Sequence, residues 1–166
     1  MKKQQKGFSL IELLIVVAII LIIAAIAIPN LIKSKMAANE SGAAGTIRTI
    51  NTGEATYQSV CPQIGYSISL QEMNTGTVCK GGANIVDAVV GSAAGQKSGY
   101  TFVEVGVPVG GINTTYTTSA TPSTLGTSGQ RQFCSDQTMV IYFDPAGAAC
   151  AVPANGQPTA TAVVLQ

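Results

Sequence analysis

Residues Gly7 to Pro29 read GFSLIELLIVVAIILIIAAIAIP, an apolar run with one charged side chain, Glu12. The run continues to Ile32, and Glu12 is the only charged residue among the 25 residues from Phe8 to Ile32. About 20 helical residues cross a hydrocarbon core of roughly 30 Å. A glutamate inside such a span costs on the order of 2–3 kcal/mol, so we expect it to have a partner and a function.

Composition limits what else the chain contains. Its 166 residues allow one membrane span and one small domain with a modest hydrophobic core. Nine basic and eight acidic side chains leave a net charge of +1, so the footprint of a nucleic-acid-binding protein is absent. The chain has no histidine for acid–base catalysis, no phosphate-binding glycine motif and no cluster of metal ligands. We therefore expect neither an enzyme nor a cofactor.

The basic residues favour one orientation of the span. Lys2, Lys3 and Lys6 precede the apolar run, whereas Lys33 and Lys35 follow it. By the positive-inside rule, the end with more basic residues stays in the cytoplasm. The asymmetry is three lysines against two, and it indicates a cytoplasmic N-terminus and an exported remainder.

The four cysteines all follow the apolar run, which predicts disulfides on the exported side of a membrane. Three pairings are possible. We favour Cys61–Cys79 and Cys134–Cys150, because each bridge closes a short loop across turn-rich sequence. Each would contribute roughly 3 kcal/mol by the loop-closure model. Four buried free thiols are the alternative.

The fold class expected is α+β. Residues 8 to about 58 predict one long helix, in which Pro29 removes a backbone donor and favours a kink near Ala25–Pro29. Its first half is apolar all round, and its second half is amphipathic. The apolar stripe of that second half recurs close to every 3.6 residues and consists of Met36, Ala43, Ala44, Ile47, Ile50 and Tyr57. The charged residues expected largely off the stripe are Lys33, Lys35, Glu40, Arg48 and Glu54.

The remainder predicts a small antiparallel sheet of three to four strands packed on the amphipathic half of the helix. Tyr100–Val107 and Ile112–Ser119 are rich in β-formers and flank a turn at Gly110-Gly111. Gln130–Cys134 and Met139–Phe143 are the next candidates. The last sixteen residues form either a tail or a final edge segment.

The N-terminal residues resemble a known family. Lys6-Gly7-Phe8-Ser9-Leu10-Ile11-Glu12, followed by the apolar run and Pro29, closely resembles the processing site of type IV pilins and type II secretion pseudopilins. The resemblance covers about residues 1–35. It implies that a prepilin peptidase cleaves between Gly7 and Phe8 and that the new amine of Phe8 is methylated. The resemblance and the composition together divide the chain into a cleaved leader (1–7), a transmembrane and fibre-core helix segment (8–32), and an amphipathic helix with an extracytoplasmic α+β head (33–166).

The function that the resemblance implies is that of a structural subunit of a type IV pilus. Glu12 of one subunit would pair with the Phe8 amine of a neighbour, and Pro29 would let the helix bend during packing. The partners implied are other copies of the chain in a helical filament, the membrane, the prepilin peptidase and the pilus assembly machinery, with no nucleic acid required. The subunit would lie in the inner membrane before assembly and in a cell-surface pilus afterwards.

Several alternatives remain open. A pseudopilin of a type II secretion system would form a short periplasmic fibre. Ala25-Ile26-Ala27 resembles the cleavage site of an ordinary secretory signal, and a plain membrane anchor with an extracytoplasmic domain would also explain the span. Asp136 and Asp144 are calcium candidates. The glycosylation acceptor patterns begin at Asn39 and Asn113.

Overall fold

The computed structural model describes residues 9–145, 150 and 162–165. The chain divides into two compact units, one ending at Lys35 and the other beginning at Met36. We call the second unit the head. A single α-helix, α1 (Leu10–Val60), contributes residues to both units.

In the first unit, α1 is built from Leu, Ile, Val and Ala. Its most apolar 18-residue window has a mean hydropathy of 3.3. Among the described residues this is the one helix long and apolar enough to cross a membrane. Pro29 lies inside α1 and does not end it, so one missing backbone donor is tolerated within the helix.

In the head, the predicted apolar stripe of α1 is largely confirmed. Ala43, Ala44, Ile47, Ile50 and Tyr57 are all buried. Met36 is only half-buried. The stripe faces the core because its members recur close to the helical period.

The expectation that Glu40 and Glu54 lie off the buried face is wrong. Glu40 is 7% exposed and Glu54 is fully buried. Both side chains accept hydrogen bonds from loops that fold back over α1, and these bonds compensate the loss of water.

The segment between α1 and the sheet contains two short helical elements, α2 (Leu70–Thr75) and a 3₁₀ turn (Lys80–Gly82). Ser69 caps α2, because its hydroxyl accepts from the Glu72 N–H. Gly76 ends α2 with a φ of 62°, a conformation that glycine adopts at no steric cost. Leu70 and Met73 of α2 are buried in the core.

Within the described residues, the sheet has six strands, each antiparallel to its sequence neighbour, in the order β1-β2-β3-β4-β5-β6. The strands are β1 (Gln96–Lys97), β2 (Tyr100–Val109), β3 (Ile112–Pro122), β4 (Gln132–Asp136), β5 (Ile141–Asp144) and β6 (Val163–Val164). The expected count of three to four strands is too low, although the α+β class is confirmed. The central strands β2 to β5 match the four predicted ones. The two additional strands have two residues each, which is too short to show a period-two pattern.

Alternate residues of the sheet face α1. Tyr100 and Phe102 of β2, Ala120 of β3, Phe133 of β4 and Ile141 of β5 are buried in one cluster with the apolar stripe of α1. The core of the head therefore lies between the amphipathic half of α1 and one face of the sheet.

Candidate assembly and processing site

The predicted processing residues, Gly7 and Phe8, lie outside the described residues. The described chain starts at Ser9, whose carbonyl accepts from the Leu13 N–H at 3.2 Å, and α1 begins at Leu10. Glu12 lies in the first turn of α1, and it is exposed. A carboxylate at this position is favoured by the unpaired N–H groups and the dipole of the helix N-terminus.

The apolar segment of α1 is uncovered in the isolated chain. Its large side chains range in exposure from 80% at Leu10 to 41% at Ile32. Soluble monomers rarely expose contiguous apolar patches of more than a few hundred Å². This surface therefore requires lipid or other apolar helices around it. Pro29 lies on this segment and is also exposed.

Two disulfides hold the head, and they join the same cysteines that the sequence analysis paired. Cys61–Cys79 links the end of α1 to the segment before the 3₁₀ turn, with a Cα–Cα distance of 6.3 Å. Cys134–Cys150 links β4 to the segment after β5, with a Cα–Cα distance of 5.7 Å. The sequence separations of 18 and 16 residues make both bridges short-range staples.

The calcium candidates do not form a common site. The β4–β5 register pairs Asp144 with Gln132 and Ser135 with Ile141, so Asp136 and Asp144 lie towards opposite ends of the ladder. Both are fully buried. Asp136 accepts from the N–H and the hydroxyl of Thr138 and thereby forms a turn. Among the residues that the structure describes, no group of three or more acidic, Cys or His side chains is arranged to hold a metal.

Both glycosylation acceptor asparagines use their amide groups internally. Asn113 is 5% exposed, and its Nδ2 donates to the Tyr66 carbonyl at 2.9 Å. Asn39 Nδ2 donates to the Ser128 carbonyl at 2.8 Å. Modification of either nitrogen would break a contact that holds a loop to the head.

The acidic side chains that act as internal acceptors in the head were not predicted from the sequence. Glu72 accepts from the N–H groups of Val78 and Cys79, both at 2.9 Å, and from the hydroxyl of Thr77. Burial alone would raise the pKa of Glu72, but these hydrogen bonds lower it below its usual range. A glutamate followed within seven residues by a turn and a cysteine is too common a pattern to identify such a role.

The comparisons with known proteins concern the N-terminal region. A family model described as "Prokaryotic N-terminal methylation motif" matches residues 2–28. A "Type IV major pilin protein PilA" of Myxococcus xanthus is 46% identical over 56 residues, which are 34% of this chain and 26% of that protein. A "Type IV wide pilus major component PilA4" of Thermus thermophilus is 56% identical over 39 residues, which are 24% of this chain and 30% of that protein.

Over its N-terminal segment, the chain is similar to type IV pilins and carries the N-terminal methylation motif. The chain spans less than a third of the length of either curated pilin. No solved structure matches it significantly. The long helix and the α+β head thus follow from the structure described above, and the similarity to pilins rests on the N-terminal segment.

Proposed function

We propose that this chain is a structural, non-enzymatic subunit of a type IV pilus filament. The observation that carries the proposal is the exposed apolar segment of α1, which holds a single carboxylate in its first turn. A filament of packed helices covers such a surface completely. Both curated relatives are named as major pilus components, which favours a pilus over a secretion pseudopilus.

Processing creates the second half of the assembly site. Cleavage between Gly7 and Phe8 gives Phe8 a cationic, methylated amine four residues before Glu12. The leader lysines hold this end at the cytoplasmic surface of the inner membrane, where the peptidase acts. Gly7 has no side chain to obstruct a protease cleft.

Pairing of Glu12 with the Phe8 amine of a neighbouring subunit sets the register of the filament. The attraction between the two charges is strong in an apolar core, but desolvation offsets much of it. The pairing therefore acts mainly by selecting the axial position of an added subunit, because only one axial offset brings the two charges together. Head-to-tail addition at a constant offset does not close, so it produces a filament at the cell surface.

The extracytoplasmic part, proposed as residues 33–166 and including the head, covers the outside of the filament. Its two disulfides stabilise it against extension and proteolysis. Pro29 supplies a place where the helix bends when subunits leave the membrane.

The proposal is tested by mass spectrometry of the N-terminal peptide of chain purified from surface fibres. We expect the mature chain to begin with N-methylated Phe8. Gly7→Trp should block this processing, whereas Gln5→Trp places the same bulk in the leader and should be processed normally. A wild-type chain that begins at Met1, or at Ile28 after an export-type cut, would refute the proposal.

A deletion strain separates the pilus from the type II secretion alternative. Loss of long surface fibres with protein export intact is the result expected for a pilin. Loss of export with surface fibres intact would assign the chain to a periplasmic pseudopilus.

A further inference from the structure

Two buried glutamates converge on one serine hydroxyl in the head. Ser67 Oγ lies 2.6 Å from Glu54 Oε1 and 2.5 Å from Glu104 Oε1. Glu54 belongs to α1, Glu104 to β2, and Ser67 to the loop that follows α1. Glu54 and Ser67 are fully buried, and Glu104 is 5% exposed.

If both carboxyl groups are ionised, this contact has too few hydrogen atoms for its two short hydrogen bonds. A serine hydroxyl carries one proton, so it donates to only one acceptor at a time. The second short contact needs a carboxyl O–H that donates to Ser67 Oγ or to the other carboxylate. Glu54 Oε2 also accepts from the Ser67 N–H at 2.9 Å, whereas Glu104 Oε2 is buried and has no hydrogen-bond partner among the residues that the structure describes.

Among the described residues, no positive charge acts on Glu104 to stabilise a second carboxylate. Burial, followed by the neighbouring Glu54, raises the pKa of Glu104 well above its usual range, and none of the causes is a basic side chain of the described part of the chain. Two titratable groups interact with this pair, Tyr57 of α1 and Tyr116 of β3. The groups that in turn interact with these two tyrosines are Glu72 of α2, Tyr66 of the loop and Asp136 of β4. All of these groups are neutral or acidic.

We propose that Glu54 and Glu104 share one proton at neutral pH and that this proton fastens the Ser67 loop between α1 and β2. Loss of the proton leaves two buried carboxylates in contact, and their repulsion opens the loop. The pair is therefore a pH-sensitive latch inside the head, independent of the filament contacts. A carboxyl group whose pKa is raised in the folded state stabilises the head fully at pH values below its pKa in the unfolded state. This stabilisation is lost as the pH rises through the pKa of the folded state.

The opening that we expect is local. The loop is also held to the sheet by the Tyr66 N–H, which donates to the Asn113 carbonyl at 3.0 Å, and by the Asn113 amide described above. These bonds do not titrate. Deprotonation would therefore release the contact between the loop and α1, while the contact between the loop and β3 remains.

Infrared spectroscopy of the full-length chain in detergent micelles tests the latch. A protonated carboxylic acid has a C=O stretching band separate from those of carboxylates and amides. At neutral pH we expect the band of one such group per folded chain, and its loss on unfolding in denaturant. Glu104→Gln should remove the band. Glu72→Gln, which changes a buried glutamate whose pKa is lowered by its hydrogen bonds, should retain it.

The second measurement is the melting temperature as pH is raised from neutral to alkaline values. We expect the wild type to lose the infrared band and to fall in melting temperature over the same range of pH. The melting temperature of Glu104→Gln should fall less over that range. Absence of the band from the folded wild type at neutral pH would overturn the proposal, whether or not the variants fold. Loss of the band on addition of calcium at constant pH would also overturn it, because the pair would then be a cation site.

Discussion

Glu40 of α1 and Arg131 form an ion pair across 91 residues of sequence, with Glu40 Oε2 2.7 Å from Arg131 Nε. Glu40 Oε1 also accepts from the backbone N–H groups of Gln130 and Arg131, at 2.8 and 3.1 Å. The Arg131 guanidinium lies over the rings of Phe133 and Phe143 as well. One carboxylate thus joins the helix to the chain segment that enters β4.

Replacement of this carboxylate should weaken the head. We expect Glu40→Gln to lower the free energy of unfolding by about 1–3 kcal/mol, because hydrogen bonds to a charged acceptor are replaced by neutral ones. Denaturant unfolding of the full chain in detergent measures the change. Arg48→Gln, an exposed change on the same helix, is the control and should stay within about 0.5 kcal/mol. Equal effects of the two variants would contradict the role of Glu40.

Acid should destabilise the head through its paired carboxylates. Burial opposes ionisation of Glu40 and Glu72, but their hydrogen bonds outweigh it and lower the pKa of both. A glutamate whose pKa is lowered in the folded state stabilises the head at pH values above its unfolded-state pKa of 4.5. This stability is lost as the pH falls through the pKa of the folded state.

We therefore expect the melting temperature to fall steeply below about pH 4.5, and less steeply in Glu40→Gln. Asp87, whose pKa is lowered chiefly by Lys97, should contribute little, because that pair is exposed and screened. The glutamate pair at Ser67 should not contribute to the acid loss, since its stabilisation is complete at low pH. A melting temperature that is flat below pH 4.5 would contradict this account.

Glu12→Leu should leave a processed, membrane-inserted subunit that enters fibres poorly. An unpaired Phe8 amine in an apolar core costs about 3–5 kcal/mol, so we expect fibre yield to fall at least about tenfold. Quantitative comparison of fibre and membrane fractions measures the yield. Leu13→Ile changes the adjacent apolar residue without changing charge, and it should assemble normally. Wild-type yield from Glu12→Leu would remove the charge-register mechanism.

Two glycines in the head should respond to alanine in opposite directions. Gly45 lies inside α1, and a Cβ there would meet no atom within 4 Å. Gly45→Ala should therefore raise stability by up to about 1 kcal/mol. A Cβ on Gly106 of β2 would lie 2.2 Å from the Ser67 carbonyl oxygen, so Gly106→Ala should lower stability by more than that. Thermal unfolding of both variants measures the difference, and a stabilising Gly106→Ala would show that the loop moves freely.

Much of the fold could be predicted from the sequence because its pattern is local. The apolar run predicts a long helix, the residues of the stripe from Ala43 to Tyr57 recur with the helical period, and the β-formers on either side of Gly110-Gly111 predict a hairpin. The proposed assembly and processing site is local as well, since Gly7, Phe8 and Glu12 lie within six residues. By contrast, the edge strands β1 and β6 have two residues each, and these short segments are strands only because each pairs with a neighbouring strand.

Contacts between distant residues depended on the tertiary structure. Neither Glu40 nor Glu54 differs in sequence pattern from a solvated glutamate on an amphipathic helix. They are buried because segments 13 to 91 residues away bring N–H and O–H donors to them. By itself, the sequence determined the span, the lone acid within it and the periodicity of the head. Which carboxylates of the head lose their water, and which two must share a proton, was decided only when the loops closed over α1, because burial and pairing are properties of packed neighbours.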